Sequence, residues 1–296
     1  MKNSKSNVFL LIGKTVFFLA VFLCLIGTAF TQSKAIMAKS ETKKLQAELD
    51  EIKSSIDSLS QKNTSLQTEV NDKEKAYKEA MKNLKFAYLT FDDGPSNHTG
   101  KILDTLDRYK VKATFFVNYK EGKDEVYKEI VKRGHVLANH TYSHDYKKIY
   151  SSKENFIADV EKLDNELEKV TGQKPSKILR FPGGSNNTIS WNHSGSSRFM
   201  PNLAQEMTDK GYTFFDWNID STDASTFRQE KQIIVSRVLG DCNYVKHANI
   251  LMHDLDPKDT TVEALPEIIE GLKNQGFMFD VLSHDSPKVQ FTEVNQ

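Results

Sequence analysis

The sequence predicts an α/β fold: about seven parallel strands wrapped by helices, set behind an N-terminal membrane helix and a long helical stalk. Three observations predict it. Beyond Lys85, short β-rich apolar runs alternate with charged segments of helical period. The runs are almost continuously apolar, as strands are when a sheet is covered on both faces. Five helical segments end just before a glycine (Gly134, Gly172, Gly211, Gly240, Gly276), where a left-handed C-cap is wanted. Seven such units in about 200 residues fit a (β/α) barrel, complete or not. A doubly wound open sheet fits the same period.

Taking the elements in order, Lys2, Lys5 and Lys14 flank an apolar stretch over 8–30. That is about the 20 residues a helix needs to cross hydrocarbon, with Lys14 snorkelling to the interface. The basic flank belongs on the cytoplasmic side, which places everything after Thr31 outside the cell membrane. A cleaved signal peptide is the competing reading, because Gly27-Thr28-Ala29 and Ser33-Lys34-Ala35 are small-x-small sites; it predicts a secreted form.

The next segment favours the anchor. Leu49, Ile56, Asn63, Val70 and Tyr77 fall at heptad position a, and Leu45, Ile52, Leu59, Leu66 and Lys73 at d. This is a coiled-coil seam, and one Asn at a specifies a two-stranded register, so a homodimer is expected through it. A single amphipathic helix packed on its own domain is the alternative. No Gly or Pro interrupts 38–85, a helix roughly 70 Å long. Cleavage at Ala29 or Ala35 would leave this stalk nothing to hold. The predicted divisions are a tail and anchor over 1–31, a stalk over 32–84, a globular domain over 85–285 and a C-terminal tail over 286–296.

In the globular part the strand runs are 86–91, 113–118, 135–139, 178–181, 212–219, 250–253 and 277–282. The helical segments between them are 100–109, 124–133, 153–170, 201–210, 228–239 and 262–274. Composition narrows the function classes. With 40 Lys+Arg against 40 Asp+Glu among 296 residues, the chain lacks the basic excess of a nucleic-acid binder. Its two cysteines, Cys24 and Cys242, lie too far apart in sequence and setting to serve as a staple, so the core must hold the domain.

Reactive residues gather where strands end, the rim on which such folds build their sites. The first is Thr90-Phe91-Asp92-Asp93-Gly94-Pro95. Neighbouring carboxylates repel unless a cation or a shared proton relieves them. His140 and His144 follow another strand, four apart, a spacing that aims two imidazoles at one point if the segment coils. One carboxylate plus two histidines leaves positions open for water, the arrangement of a hydrolytic metal site, and frees the second aspartate as a base. Arg180, at a third strand end, can hold that base by a bidentate contact. His253 suits a general acid, with Asp223 to orient and charge it. Plainer roles exist for each: an Asp-Gly turn, a structural ion pair, a turn aspartate, a capped strand end. His98, His135, His193, His247 and His284 have no such company and are read as ordinary residues.

In order, the motifs TFDDGP, HTYSH, RFPGGS, DSTD and LMHD resemble those of the polysaccharide deacetylases, the NodB-homology or carbohydrate esterase 4 family, over residues 85–282. The resemblance implies a distorted (β/α) barrel with a divalent metal, usually zinc and in some members cobalt or another ion. It implies Asp92 as catalytic base, Asp93, His140 and His144 as metal ligands, and Arg180 as the group positioning the base. It likewise implies His253 as general acid and Asp223 as the carboxylate tuning it. It further implies Leu251 as the residue lining the acetyl methyl pocket and the Gly183 N–H as the oxyanion donor. Two positions depart from the pattern: Ala224 stands where many members carry Trp, and Gly183 where many carry an aromatic. The implied reaction is hydrolysis of an N-acetyl group on an amino sugar, with Asp92 taking a proton from the attacking water and His253 protonating the departing amine. Joined to the membrane address, this makes peptidoglycan N-acetylglucosamine or N-acetylmuramic acid the expected substrate. A glycan-binding or regulatory module on a dimeric stalk and an O-acetyl esterase of xylan-like glycans are the competing readings.

Overall fold

The computed structural model describes residues 3–81 and 84–295; Lys2 of the basic flank and residues 82–83 at the end of the stalk lie outside the described residues. The chain divides into two compact units, Met1–Ala80 and Met81–Gln296. The first is one helix, α1 (Asn3–Met81). Within Val16–Glu79 it reaches a mean hydropathy of 2.0 over 18 residues, long and apolar enough to cross a membrane. Thr28 and Thr31 return their hydroxyls to the carbonyls of Leu25 and Thr28, which keeps them from interrupting the apolar surface. The heptad side chains are exposed, from 45% at Leu49 to 67% at Leu59.

The second unit alternates strand and helix as its period requires. Its strands are β1 (Lys85–Asp92), β2 (Thr114–Val117), β3 (Val136–Asn139), β4 (Ile178–Leu179), β5 (Thr213–Phe214), β6 (Ile219–Asp220), β7 (His247–His253) and β8 (Phe277–Phe279). The helices are α2 (Thr99–Tyr109), α3 (Asp124–Lys132), α4 (Tyr146–Ile149), α5 (Lys153–Thr171), α6 (Ile189–Ser194), α7 (Phe199–Asp209), α8 (Lys231–Cys242) and α9 (Asp259–Asn274). The strands run in the order β5-β4-β3-β2-β1-β7-β6, with β8 paired to β1, and every pairing is parallel. This is a distorted (β/α) barrel.

Period-two alternation sorts the strand residues into two layers. Ala87, Leu89 and Phe91 of β1, with Ala248, Ile250 and Met252 of β7, face outward under α2, α8 and α9 and build the main core. Phe86 and Tyr88 face inward, where Phe116, Ala138, Ile178, Phe215 and Leu282 fill the lower interior. The same inward face carries Thr90 and Asp92 at the upper end of β1, so the site sits on top of the packed interior.

Two expectations need correction. The apolar run 212–219 is not one strand but two: β5 pairs with β4 and β6 with β7, at opposite ends of the strand order. Residues 215–218 cross between those ends, and the carbonyls of Phe215 and Asp216 are taken by the Arg180 and Asn249 side chains instead of by a strand. Gly240 is not a cap, because α8 continues past it to bury Cys242. The other four glycines do take positive φ, from 70° to 84°. The segment assigned as a C-terminal tail runs back over the domain: Phe291 N–H donates to Asp216 Oδ2 at 2.7 Å and Thr292 Oγ1 to the Ser185 carbonyl at 2.7 Å.

Candidate active site

The strand ends deliver their side chains to one pocket by breaking the regular backbone. Alternation would send Asp93 away from Asp92, but Asp93 takes φ 71° and turns back. Both carboxylates then approach the same imidazole: His140 Nε2 lies 3.6 Å from Asp93 Oδ1 and 3.7 Å from Asp92 Oδ2. Gly94 makes the turn possible. A Cβ there would stand 2.5 Å from Asp254 Oδ2. Asp254 fastens this turn, accepting from Ser96 Oγ and from Thr99 Oγ1 (2.6 Å) while its own N–H donates to the Asp92 carbonyl (2.8 Å). Burial raises the Asp254 pKa, against those hydrogen bonds.

The histidines do not sit on a helix. Residues 140–144 form a turn in which Thr141 (φ 67°) and His144 (φ 52°) are left-handed, unusual for any residue and costly for a β-branched one. Neighbours over-determine it. Asn118 Nδ2 donates to the carbonyls of His140 (2.6 Å) and Thr141 (3.0 Å), and buried Asp159 accepts from Ser143 N–H (2.8 Å) and Oγ (2.9 Å).

The protonation of this cluster follows from its partners. His140 Nδ1 lies 2.8 Å from the Arg180 carbonyl, which can only accept, so Nδ1 donates and Nε2 is the nitrogen turned toward Asp93. His144 Nε2 lies 3.3 Å from Asp93 Oδ1. Burial first, and His140 second, push the His144 pKa down to about 4, so it is neutral at pH 7. Burial would raise Asp93, yet the imidazoles of His140, His144 and His253 and the Lys120 ammonium hold it below the usual carboxylate value. Asp93 Oδ1 is nonetheless buried without a hydrogen-bond donor among the described residues. Asp93, His140 and His144 each turn a ligand atom to within 4.8 Å of the others. Two imidazole nitrogens and a carboxylate oxygen converging in this way fit a divalent cation.

Asp92 is held from behind by Arg180, whose residue is fully buried. The expected bidentate contact is absent: a single Nη1 N–H reaches Asp92 Oδ1 at 2.8 Å. The remaining donors go to Thr90 Oγ1 (2.7 Å), the Phe215 carbonyl (3.0 Å), the Asp216 carbonyl (3.0 Å) and Asn249 Oδ1 (3.1 Å). All five guanidinium N–H groups thus have acceptors, and the plane lies 4.2 Å over the Phe116 ring. Arg180 steadies Asp92 and ties the seam between β5 and β6 with one side chain.

Across the rim, His253 Nδ1 lies 2.8 Å from Asp223 Oδ1, and Asp223 Oδ2 accepts from His253 N–H (2.8 Å) and Thr261 Oγ1 (2.8 Å). Burial opposes a charged His253, but Asp223, then Asp92 and Asp93, raise its pKa to about 9. Burial opposes ionised Asp223 as well, and its bonds to His253 overcome that and lower its pKa. Ala224 therefore does not prevent the pair from forming. Leu251, 6% exposed, shares the inward face of β7 with Asn249 and His253. Gly183 takes φ 76°, and a Cβ there would meet Tyr146 Oη at 3.1 Å. Tyr146, packed edge-on against His144, fills the space that a side chain at 183 would need.

Several supporting residues escaped the sequence reading: Thr90, Asn118, Asp159, Asn249 and Asp254, all buried and hydrogen-bonded around the cluster. Two carried a usable signal. Thr90 and Asn249 are polar residues at inward positions of otherwise apolar strands.

Comparison with known proteins follows the geometry. The family model described as Polysaccharide deacetylase matches residues 79–200. A peptidoglycan-N-acetylglucosamine deacetylase of Bacillus cereus is 33% identical over 219 residues, covering 69% of this chain and 72% of its own. A bifunctional xylanase/deacetylase of Pseudobutyrivibrio xylanivorans is 35% identical over 212 residues, covering 68% of this chain and 30% of its own. The solved catalytic domain of a peptidoglycan N-acetylglucosamine deacetylase from Eubacterium rectale superposes with a TM-score of 0.66 at 37% identity, covering 72% of this chain and 94% of that one.

Proposed function

We propose that this chain, which belongs to the polysaccharide deacetylase family, is a metal-dependent hydrolase removing N-acetyl groups from an amino sugar of the cell envelope. The carrying observation is the buried Asp93 Oδ1, without a donor among the described residues and converging with a ring nitrogen of each of two imidazoles, with Asp92 beside it. Asp93, His140 and His144 are the ligands, and their nitrogen and oxygen donors suit zinc, or cobalt in its place. A divalent ion there supplies Lewis acidity, polarising a carbonyl oxygen and bringing the pKa of water toward neutrality.

The chain's own groups do the rest. Asp92, kept in place by Arg180, takes the proton of the attacking water. His253, its pKa raised to about 9, still carries a proton at pH 7 and gives it to the leaving nitrogen. The Gly183 N–H is the oxyanion donor, and Leu251 borders the space for the acetyl methyl group. An amide needs its leaving group protonated more than an ester does, so a protonated His253 favours the N-acetyl over the O-acetyl reading. Peptidoglycan N-acetylglucosamine, or N-acetylmuramic acid beside it, is the substrate. Two relatives at 33% and 37% identity bear the first sugar in their names, and an apolar N-terminal helix suits an extracytoplasmic enzyme. Incubated with zinc or cobalt and an N-acetylglucosamine oligomer, the full-length chain should release acetate. Release no greater than that of Asp92→Asn would overturn the proposal and leave a glycan-binding module.

The same proposal makes residues 1–31 an uncleaved anchor, 32–84 a stalk, 85–285 the catalytic domain and 286–296 its C-terminal tail. The exposed heptad seam supports a dimeric coiled coil, since apolar side chains at a and d are otherwise left in water. Leu59→Asp should then halve the protein mass measured by light scattering in detergent. An unaltered mass would remove the dimer.

A further inference from the structure

The loop leaving β6 carries Asp223 and, four residues on, Phe227. Phe227 is 80% exposed. Single exposed apolar side chains are common and need no explanation; what sets this one apart is how firmly its backbone is held. Lys258 is only 5% exposed, and a buried ammonium must find acceptors. Its Nζ donates to the carbonyls of Asp223 (2.8 Å), Thr226 (2.7 Å) and Phe227 itself (3.1 Å). The next residue, Arg228, grips Asp259 with two N–H groups at 2.7 and 2.9 Å. Gln229 Nε2 reaches back to the Thr222 carbonyl at 3.3 Å. The loop is thus pinned on both sides of an aromatic ring that packs on no other ring among the described residues.

Folding has already removed the freedom of this backbone, so little entropy remains to be lost when a ligand settles on the ring. The position is also telling. Lys258 Nζ bonds the carbonyls of both Asp223 and Phe227, so the Phe227 backbone lies close to that of Asp223, the partner of His253 at the strand-end rim. Ala224, beside the pair, is exposed and offers no ring. Recognition sites combine apolar and aromatic surface with a few polar groups, and the C–H face of a pyranose is the apolar surface a glycan presents.

We propose that Phe227 is a stacking platform for a pyranose ring next to the sugar whose acetyl group is removed, held in position by Lys258. This rests on the deacetylase reading, and the test separates the two. With full-length protein supplied with zinc, Phe227→Ala should raise KM for an N-acetylglucosamine oligomer about tenfold, equivalent to about 1.4 kcal/mol, at unchanged kcat. Hydrolysis of a small aryl acetate, which cannot reach the loop, should move less than ~2-fold, and Phe227→Trp should restore the oligomer KM. Tyr244, 89% exposed in the turn before β7 at the far end of the sheet, is the control, and its replacement by Ala should alter neither value. An unchanged oligomer KM in Phe227→Ala overturns the platform, as does an equal loss on both substrates. Calorimetric titration of the oligomer into the Asp92→Asn form gives a reading independent of turnover. A tenfold weaker Kd on adding Phe227→Ala supports the platform even where no acetate is released, and a parent protein that does not bind the oligomer overturns it.

Discussion

Two carboxylate–imidazole groupings share one rim and push their histidines in opposite directions, His144 down and His253 up. Around Asp223 every near atom donates: His253 Nδ1, His253 N–H and Thr261 Oγ1, all at 2.8 Å. Those donors favour the carboxylate anion and lower the Asp223 pKa, and His253 is raised to about 9. Around Asp93 the near atoms are the Nε2 nitrogens of two imidazoles. His140 turns its Nδ1 to the Arg180 carbonyl, and His144 is pushed down to about 4 by burial and by His140. Residue type does not decide the difference; the acceptors and donors one bond further out do. One grouping keeps a proton to give, and the other offers a cation two imidazole nitrogens and a carboxylate oxygen.

The largest change should come from breaking the open grouping. His144→Ala should lose the metal by elemental analysis and lower acetate release about a thousandfold, the scale of several kcal/mol of Lewis-acid stabilisation; undiminished metal content would remove His144 from the ligand set. Breaking the closed grouping should be milder and metal-neutral. His253→Gln should cost about a hundredfold in kcat on an N-acetyl substrate, the low end of what a general acid supplies, and clearly less on the matching O-acetyl ester, with metal retained. Equal losses on amide and ester would argue against the acid role.

The smallest effect sharpens the comparison by pH. Asp223 raises His253 from about 6.5 to about 9, so the protonated form persists until pH passes about 9. Asp223→Asn should move the alkaline fall in kcat to lower pH. The sign for stability runs the same way. A raised histidine contributes its full stabilisation below the unfolded value of about 6.5 and loses it as pH climbs through about 9. Melting curves at the two ends of that window should therefore differ more for the parent than for Asp223→Asn, and parallel curves would contradict the linkage.

Much of this was legible in the residues. The apolar runs and their helical partners placed each strand end, and Asp92, Asp93, His140, His144, Arg180, Asp223 and His253 all fall at the rim where they were expected. What escaped has identifiable causes. The run 212–219 looks like one strand because apolarity does not reveal where a ladder changes partner. Gly240 looks like a stop because a local preference gives no hint that Cys242 must be buried. Thr90 and Asn249 look like ordinary polar interruptions until Arg180 is seen to bond both. The contact between Arg180 and Asp92 is single and not forked, because the other four N–H groups are needed by carbonyls and side chains from distant parts of the chain.

The order of residues by itself determined the strand–helix alternation, the apolar N-terminal helix with its heptads, and the chemical types gathered at the strand ends, since periodicity and composition are local properties. Only the tertiary structure decided which of the paired aspartates faces Arg180 and which approaches both imidazoles, and which histidine is raised and which lowered. Those outcomes depend on left-handed turns at Asp93, Thr141 and His144 and on acceptors as far as 158 residues away in sequence. A backbone holds such strained turns only where surrounding hydrogen bonds enforce them, and those bonds exist only once the barrel has closed.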